Sequence, residues 1–308
     1  MATYKEINGQ KIQSVSSDPP ASFTGQVWYN STSGDLKVNA GTPVGAWATG
    51  GNLNNGRYSG GGAGIQTAAL YFGGFPATAN TEKYNGTSWT EVNNLNSGRG
   101  YLAGAGTQTA ALGFGGDVPG TADTEKWNGT NWTEVNNLNT ARSNPGGAGT
   151  QTAALAFGGT PYSAVTELWN GTNWNTVNSL NVGRSSIAGL GLSTAALAVG
   201  GSASKNNTEL WNGTNWTNVN TLNQGRRDFG GAGTTTAGLV FGGTPGPGDL
   251  TELWNGTNWT EVADLNVSDE AQRGCGTQPA ALSFGGQSDA DATEEWNITG
   301  GISTIETS

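Results

Sequence analysis

Apolar residues come in short bursts along this chain, and the bursts return on a fixed period. The apolar residue ahead of a Gly-Gly pair recurs at Phe72, Phe114, Phe157, Val199, Phe241 and Phe284, in steps of 42, 43, 42, 42 and 43 residues. Each copy reads roughly L-N-x-x-R, five residues, G-A-G-T-Q-T-A-A-L-x-F-G-G, a variable stretch, then T-E-x-W-N-G-T-N-W-T-E-V. Self-similarity of this length marks a repeat architecture. Inside a copy the period drops to two. In A-A-L-A-F, Leu155 and Phe157 fall on one face of an extended chain. Each copy predicts four strands: a, the glycine-rich G-A-G-T stretch (Gly147 to Thr150, for example); b, A-A-L-A-F; c, T-E-L-W; and d, N-W-T-E-V. An Asn-Gly turn joins c to d, since both residues tolerate positive φ. A glycine-rich strand a suits crowding around a central axis.

Composition agrees. The 308 residues include 52 Gly and 12 Trp but no His. No Gly-X-Y period is present, and so many Trp argue against a disordered chain. Short strands and tight turns remain, as in a propeller. WD40 units have a similar length, but their Gly-His and Trp-Asp signatures are missing. The chain instead resembles the kelch family. The resemblance rests on the double glycine ending strand b, the Arg before strand a, and the paired aromatics Trp127/Trp132, Trp169/Trp174, Trp211/Trp216 and Trp254/Trp259. It covers residues from about 46 to 297 and implies an all-β, six-bladed kelch-like β-propeller with four-stranded antiparallel blades. With only four residues between the paired aromatics, the loops on that side must be short.

Six a-b-c sets are followed by only five full d strands. Trp47-Ala-Thr-Gly-Gly-Asn-Leu53 matches Trp89-Thr-Glu-Val-Asn-Asn-Leu95 in spacing. Closure of the last blade by an N-terminal strand, Ala46 to Thr49, is therefore expected, leaving no exposed edge. The competitor is Ile302 to Thr307. The expected domains are an arm with a β-hairpin at 1–45 and the propeller at 46–308.

A net charge of −10 argues against nucleic acid or anionic lipid as the main partner. No apolar run is long enough to insert in a membrane, and the start of the chain lacks the apolar core of a secretory signal. The single Cys275 allows no internal disulfide.

Arg57, Arg99, Arg142, Arg184, Arg226 and Arg273 read as one arginine per repeat, with Arg227 outside the series. The Thr-Glu pairs supply Glu82, Glu125, Glu167, Glu209, Glu252 and Glu294. Such regularity favours Arg-Glu or Arg-carbonyl pairing over a ligand-binding ring. The N-G-T triplets beginning at Asn85, Asn128, Asn170, Asn212 and Asn255 fit the N-glycosylation pattern but read better as turns. Copper radical oxidases of kelch type need His ligands, and sialidases use an Arg cluster that breaks the repeat, so no enzyme is expected. The Asp289/Asp291 loop is an incomplete calcium pattern. No cofactor or metal is expected.

The copies differ most in the b-c loops (Phe75–Asn80, Asp117–Asp123, Thr160–Val165, Ser202–Asn207, Thr244–Leu250, Gln287–Ala292) and just after the Arg. In an up-and-down blade these loops share a face. That varied face carries Tyr58, Tyr101, Tyr162, Arg227, Asp228 and Phe229, the expected ligand-binding residues, and such aromatics suit sugar or protein contact. Drift under weak constraint is the plainer account.

Before the repeats, Gly25 to Val38 predicts a hairpin of V-W-Y and L-K-V around a Ser-Gly-Asp turn, after Pro19-Pro20. It resembles the G-Q-x-W-Y-N-S-T-x-G-x-L-K phrase of tail-fibre and other virion structural proteins of tailed bacteriophages. The resemblance implies a non-enzymatic tail-fibre or appendage subunit, extracellular after lysis. Its arm would dock to other virion proteins, and its propeller would bind a host-surface glycan or protein. The alternatives are an architectural virion protein without a receptor role, and a hairpin that merely caps the propeller. Homo-oligomerisation stays open.

Overall fold

The computed structural model describes residues 12–19, 26–39, 44–117, 120–203, 205–299 and 302–304. The polar leader before residue 12, Pro20, Gly25 and the last residues of the Ile302–Thr307 segment lie outside the described residues. The chain divides into two compact units, one of Ala46–Asn297 and one combining Met1–Gly45 with Ile298–Ser308.

The repeats form six four-stranded sheets, and the copy at 146–177 shows why. Gly146–Thr150, Ala153–Phe157, Thr166–Trp169 and Trp174–Val177 pair in sequence order, each antiparallel to the last. The two-residue period puts Ala154 and Ala156 against one neighbouring blade and Leu155 and Phe157 against the other, so strand b is buried on both faces. The inner strands lie side by side around an axis, and the sixth, Arg273–Thr277, lies against the first, Gly61–Ile65. The result is a β-propeller.

Glycine in strand a is set by close approach. A Cβ on Gly189 would sit 2.2 Å from the Gly147 carbonyl of the blade before.

Two contacts recur between blades, and a third ties the loop entering each of five blades to that blade's third strand. The strand-b aromatic meets the outer Trp of the following blade, with ring centroids 5.0 Å apart for both Phe114–Trp174 and Phe157–Trp216. That Trp also donates from Nε1 to the Thr opening strand c one blade back, as in Trp174 to Thr124 Oγ1 at 3.1 Å. Five strand-c glutamates pair with five buried arginines: Glu82–Arg57, Glu125–Arg99, Glu167–Arg142, Glu209–Arg184 and Glu252–Arg226.

The sixth sheet has the order Arg273–Thr277, Ala280–Phe284, Thr293–Thr299, Val44–Thr49. Trp47 there makes the contacts of an outer Trp. Its ring lies 4.8 Å from Phe241, its Nε1 donates to Thr251 Oγ1 at 3.0 Å, and its carbonyl accepts from Asn266 Nδ2. Ile302–Thr304 instead pairs antiparallel with Asp35–Asn39 in a separate sheet of order Gln13–Val15, Val27–Asn30, Asp35–Asn39, Ile302–Thr304. That sheet contains the hairpin, registered Val27 to Val38 and turning at Gly34 with φ +79°. Asp18 Oδ1 accepts from both Trp28 Nε1 and Asn30 Nδ2, and these bonds lower its pKa.

The expected series of six arginines needs correction. Counting 43 residues on from Arg226 gives Asp269, not Arg273. Arg273 opens an inner strand, in the place of Gly61, Ala103, Gly146, Ala188 and Gly230. Among the described residues Glu294 pairs with no arginine and keeps the loop donors that the paired glutamates also have, here Asn266 N, Asn266 Nδ2 and Val267 N. A second departure is repaired locally. Gly60 stands where the other copies have Leu102, Pro145, Ile187, Phe229 and Gln272, and the Tyr71 ring occupies the vacated space, 2.5 Å from where a Gly60 Cβ would be.

Candidate functional site

The loops after the structural arginines are varied in sequence but uniform in backbone. Ser59, Tyr101, Asn144, Ser186, Asp228 and Ala271 all have φ between 51° and 63°. Each donates its backbone N–H to the equivalent carbonyl one blade back: Tyr101 to Ser59 (2.6 Å), Asn144 to Tyr101 (2.8 Å), Ser186 to Asn144 (3.0 Å), Asp228 to Ser186 (3.4 Å), Ala271 to Asp228 (2.6 Å) and Ser59 to Ala271 (2.9 Å). These six bonds form a closed collar around the axis. Left-handed backbone costs a non-glycine residue on the order of 1 kcal/mol or more, and each collar bond offsets part of that cost. Only Asn144 and Asp228 are residue types that visit this region readily.

Behind the collar lies an axial cavity of about 80 Å³, open at its mouth. Its wall is mostly inner-strand glycine and alanine, with polar side chains from Asn144, Ser186, Asp228 and Arg273. The other end of the channel is lined by glycines and small apolar residues.

The expected binding residues separate into three groups. Tyr58 and Tyr101 come together with Phe75 from a b-c loop, with centroids 5.3 Å (Tyr58–Phe75), 5.7 Å (Phe75–Tyr101) and 6.4 Å (Tyr58–Tyr101) apart. Burial, then the bond with the Tyr58 hydroxyl, raises the Tyr101 pKa. Asp228 belongs to the collar, and Arg227 Nε pairs with it at 3.3 Å. Tyr162 stands on the loop Thr160–Val165, 64% exposed. Phe229 is different. It is 4% exposed, packed with Val199 and Val240 between blades and under the Arg226 guanidinium. It also stands on the wall of the axial cavity. Phe75 and Arg273 are the residues the sequence reading did not select.

In the sixth blade Asp269 takes over a loop rather than a glutamate. Its carboxylate accepts from the backbone N–H of Glu270, Gln287, Ser288 and Asp289, at 2.7 to 2.9 Å. No group of three or more metal-ligating side chains occurs among the described residues. Asp289 is pushed above the ordinary carboxylate range by desolvation, then by its hydrogen bond and repulsion with Asp291 and by Asp269. A raised carboxyl pKa means that the folded state holds its proton more tightly than the unfolded chain. The stabilisation is present below the unfolded value and is lost as pH rises through the folded one. Asp289→Asn is therefore expected to be more stabilising, relative to the parent, at pH 7 than at pH 3. Parallel urea melts at both pH values test this, and an equal effect would remove the repulsion argument.

On the opposite face the turns repeat almost unchanged. Asn85, Asn128, Asn170, Asn212 and Asn255 each accept two backbone N–H bonds through Oδ1, which is the turn role expected for them.

No protein-family model matches the chain, and no curated protein does. Among solved structures of similar fold is the one described as "Structure of YjhT". It superposes with a TM-score of 0.68 at 12% identity, over 84% of this chain and 100% of that one. At that identity the likeness is one of fold, and with the six repeated four-stranded antiparallel sheets it makes the chain an all-β protein of propeller type.

Proposed function

We propose that the protein is a non-enzymatic binding subunit of a phage tail fibre or appendage, whose loop-side face engages a host-surface glycan or protein. One observation carries the reading. A frame repeated almost identically six times gathers Tyr58, Phe75 and Tyr101 on one loop face, with centroids within 6.4 Å of one another. Aromatic faces held by a rigid rim suit the apolar faces of sugar rings or a protein's side chains, at little entropy cost. The virion part rests on the arm, where the G-Q-V-W-Y-N-S-T phrase carries the resemblance to tail proteins. Ala46–Thr49, acting as the closing strand, would tie the ring to that docking arm.

Binding of labelled protein to host-type cells and purified surface polysaccharide tests the reading. The Tyr58→Ala/Tyr101→Ala pair is expected to weaken binding at least about tenfold, the loss expected when two anchoring aromatics are truncated. Tyr162→Ala is expected to weaken it less. Unchanged binding by the double variant would remove the face from consideration. Burial of the face against other subunits in the particle would favour the architectural role.

A further inference from the structure

One blade departs from the repeat in a way the frame does not require. Five copies begin the inner strand with Gly or Ala, and the sixth begins it with Arg273, a cation on the wall of the axial cavity. The same copy gives up its structural arginine, because Asp269 holds that position. The charge has thus left the place where it pairs with a glutamate and appears where no copy needs one. Arg273 Nε donates to the Gly60 carbonyl at 2.6 Å and Nη1 to the Gln272 carbonyl at 3.3 Å. No carboxylate forms an ion pair with it among the described residues. Desolvation lowers its pKa, with Tyr71 and Asp228 acting the other way. Arg273 is partly exposed at the cavity wall, so its guanidinium, free of a carboxylate partner, remains accessible to an incoming anion.

We propose that the axial cavity on the loop side binds a carboxylate, with Arg273 as its anchor. A guanidinium presents a planar fork that matches a carboxylate. Among the described residues no second cation side chain lines the cavity, and Asp228 on its wall opposes a doubly charged phosphate. Asn144 and Ser186 supply neutral polar groups beside it. The hydrogen-bonded collar fixes the mouth before any ligand arrives, which lowers the ordering cost of binding. The carboxylate can belong to a free small acid or to an acidic sugar of a surface polysaccharide. The site stands on Arg273 and the cavity alone, and does not depend on the receptor reading.

The test is titration of the full chain with acetate, D-galacturonate, D-galactose and inorganic phosphate, followed by calorimetry and amide chemical shifts. Arg273→Ala restores the residue type of the other copies, so it is expected to fold with an unchanged urea midpoint. It is expected to bind acetate and galacturonate at least about tenfold more weakly, the loss of one charge-assisted pair. Asp228→Asn, tolerated at positive φ, is expected to bind both more tightly. If galacturonate alone loses affinity and cell binding falls with it, the source is the surface glycan. If acetate binding is lost while cell binding persists, the source is a free acid. Three results would overturn the proposal: no carboxylate binding by the parent chain, equal binding by Arg273→Ala, or tighter binding of phosphate than of either carboxylate. Failure of the parent chain to bind cells, with acetate binding still dependent on Arg273, would count against the receptor reading alone.

Discussion

Trp47→Ala is expected to lower the stability of the propeller by about 3–5 kcal/mol, the range for truncating a buried large aromatic. The indole lies between Phe241 at 4.8 Å and Trp296 at 5.4 Å, and its Nε1 hydrogen bond to Thr251 is buried. The loss should appear as a lower urea midpoint with an unchanged slope. Removing residues 1–50 should do more, because it leaves Thr293–Thr299 as an unpaired sheet edge. That shortened chain is expected to associate or aggregate, as measured by size-exclusion chromatography with light scattering. A monomeric, fully stable chain lacking these residues would show that the sixth blade closes without them. Trp132→Ala is the control, since it truncates an outer Trp whose strand follows directly on its own blade.

Glu167→Gln carries the second large effect. It leaves the Arg142 guanidinium, itself 1% exposed, without its counter-charge. Breaking one side of a buried pair costs about 3–5 kcal/mol, because the remaining ion is neither solvated nor paired. Replacing both partners with apolar residues is expected to recover most of the loss. The sixth blade provides the contrast. Glu294 already lacks an arginine and is held by three N–H donors from Asn266 and Val267. Glu294→Gln should therefore cost markedly less than Glu167→Gln in the same urea assay. Equal losses would mean that the glutamate's bonds to the Asn loop, not the ion pair, stabilise the blade.

The strands and their number were legible because period-two apolar runs and Asn-Gly turns act locally, and the 42- or 43-residue step sets the copies in register. The pairing of Glu82, Glu125, Glu167, Glu209 and Glu252 with arginines was also readable from regularity. Arg273 was misread for an instructive reason. It lies 47 residues after Arg226, while the repeat step is 42 or 43, so the spacing already set it apart. Phe229 shows the opposite limit. Its place in a varied loop said nothing about its burial, which comes from packing against Val199 and Val240. Phe75 was missed because its partners Tyr58 and Tyr101 come from loops on two blades, a neighbourhood set by the ring and not by the chain. The collar itself involves no side chain and leaves no mark in composition.

Both covalent links between the repeats and the rest of the chain pass through neighbouring strands of one blade, Val44–Thr49 and Thr293–Thr299. Gly50 donates to Thr293, so these strands run in opposite directions, and the two linking ends emerge side by side. A force applied to both linking ends along the strand direction would pull both strands the same way and would not peel one from the other. The load would fall as shear on the ladder between Thr293–Thr299 and Ala280–Phe284, whose bonds stretch together. A ring tethered in this way would withstand tugging better than one hung from a single terminal strand.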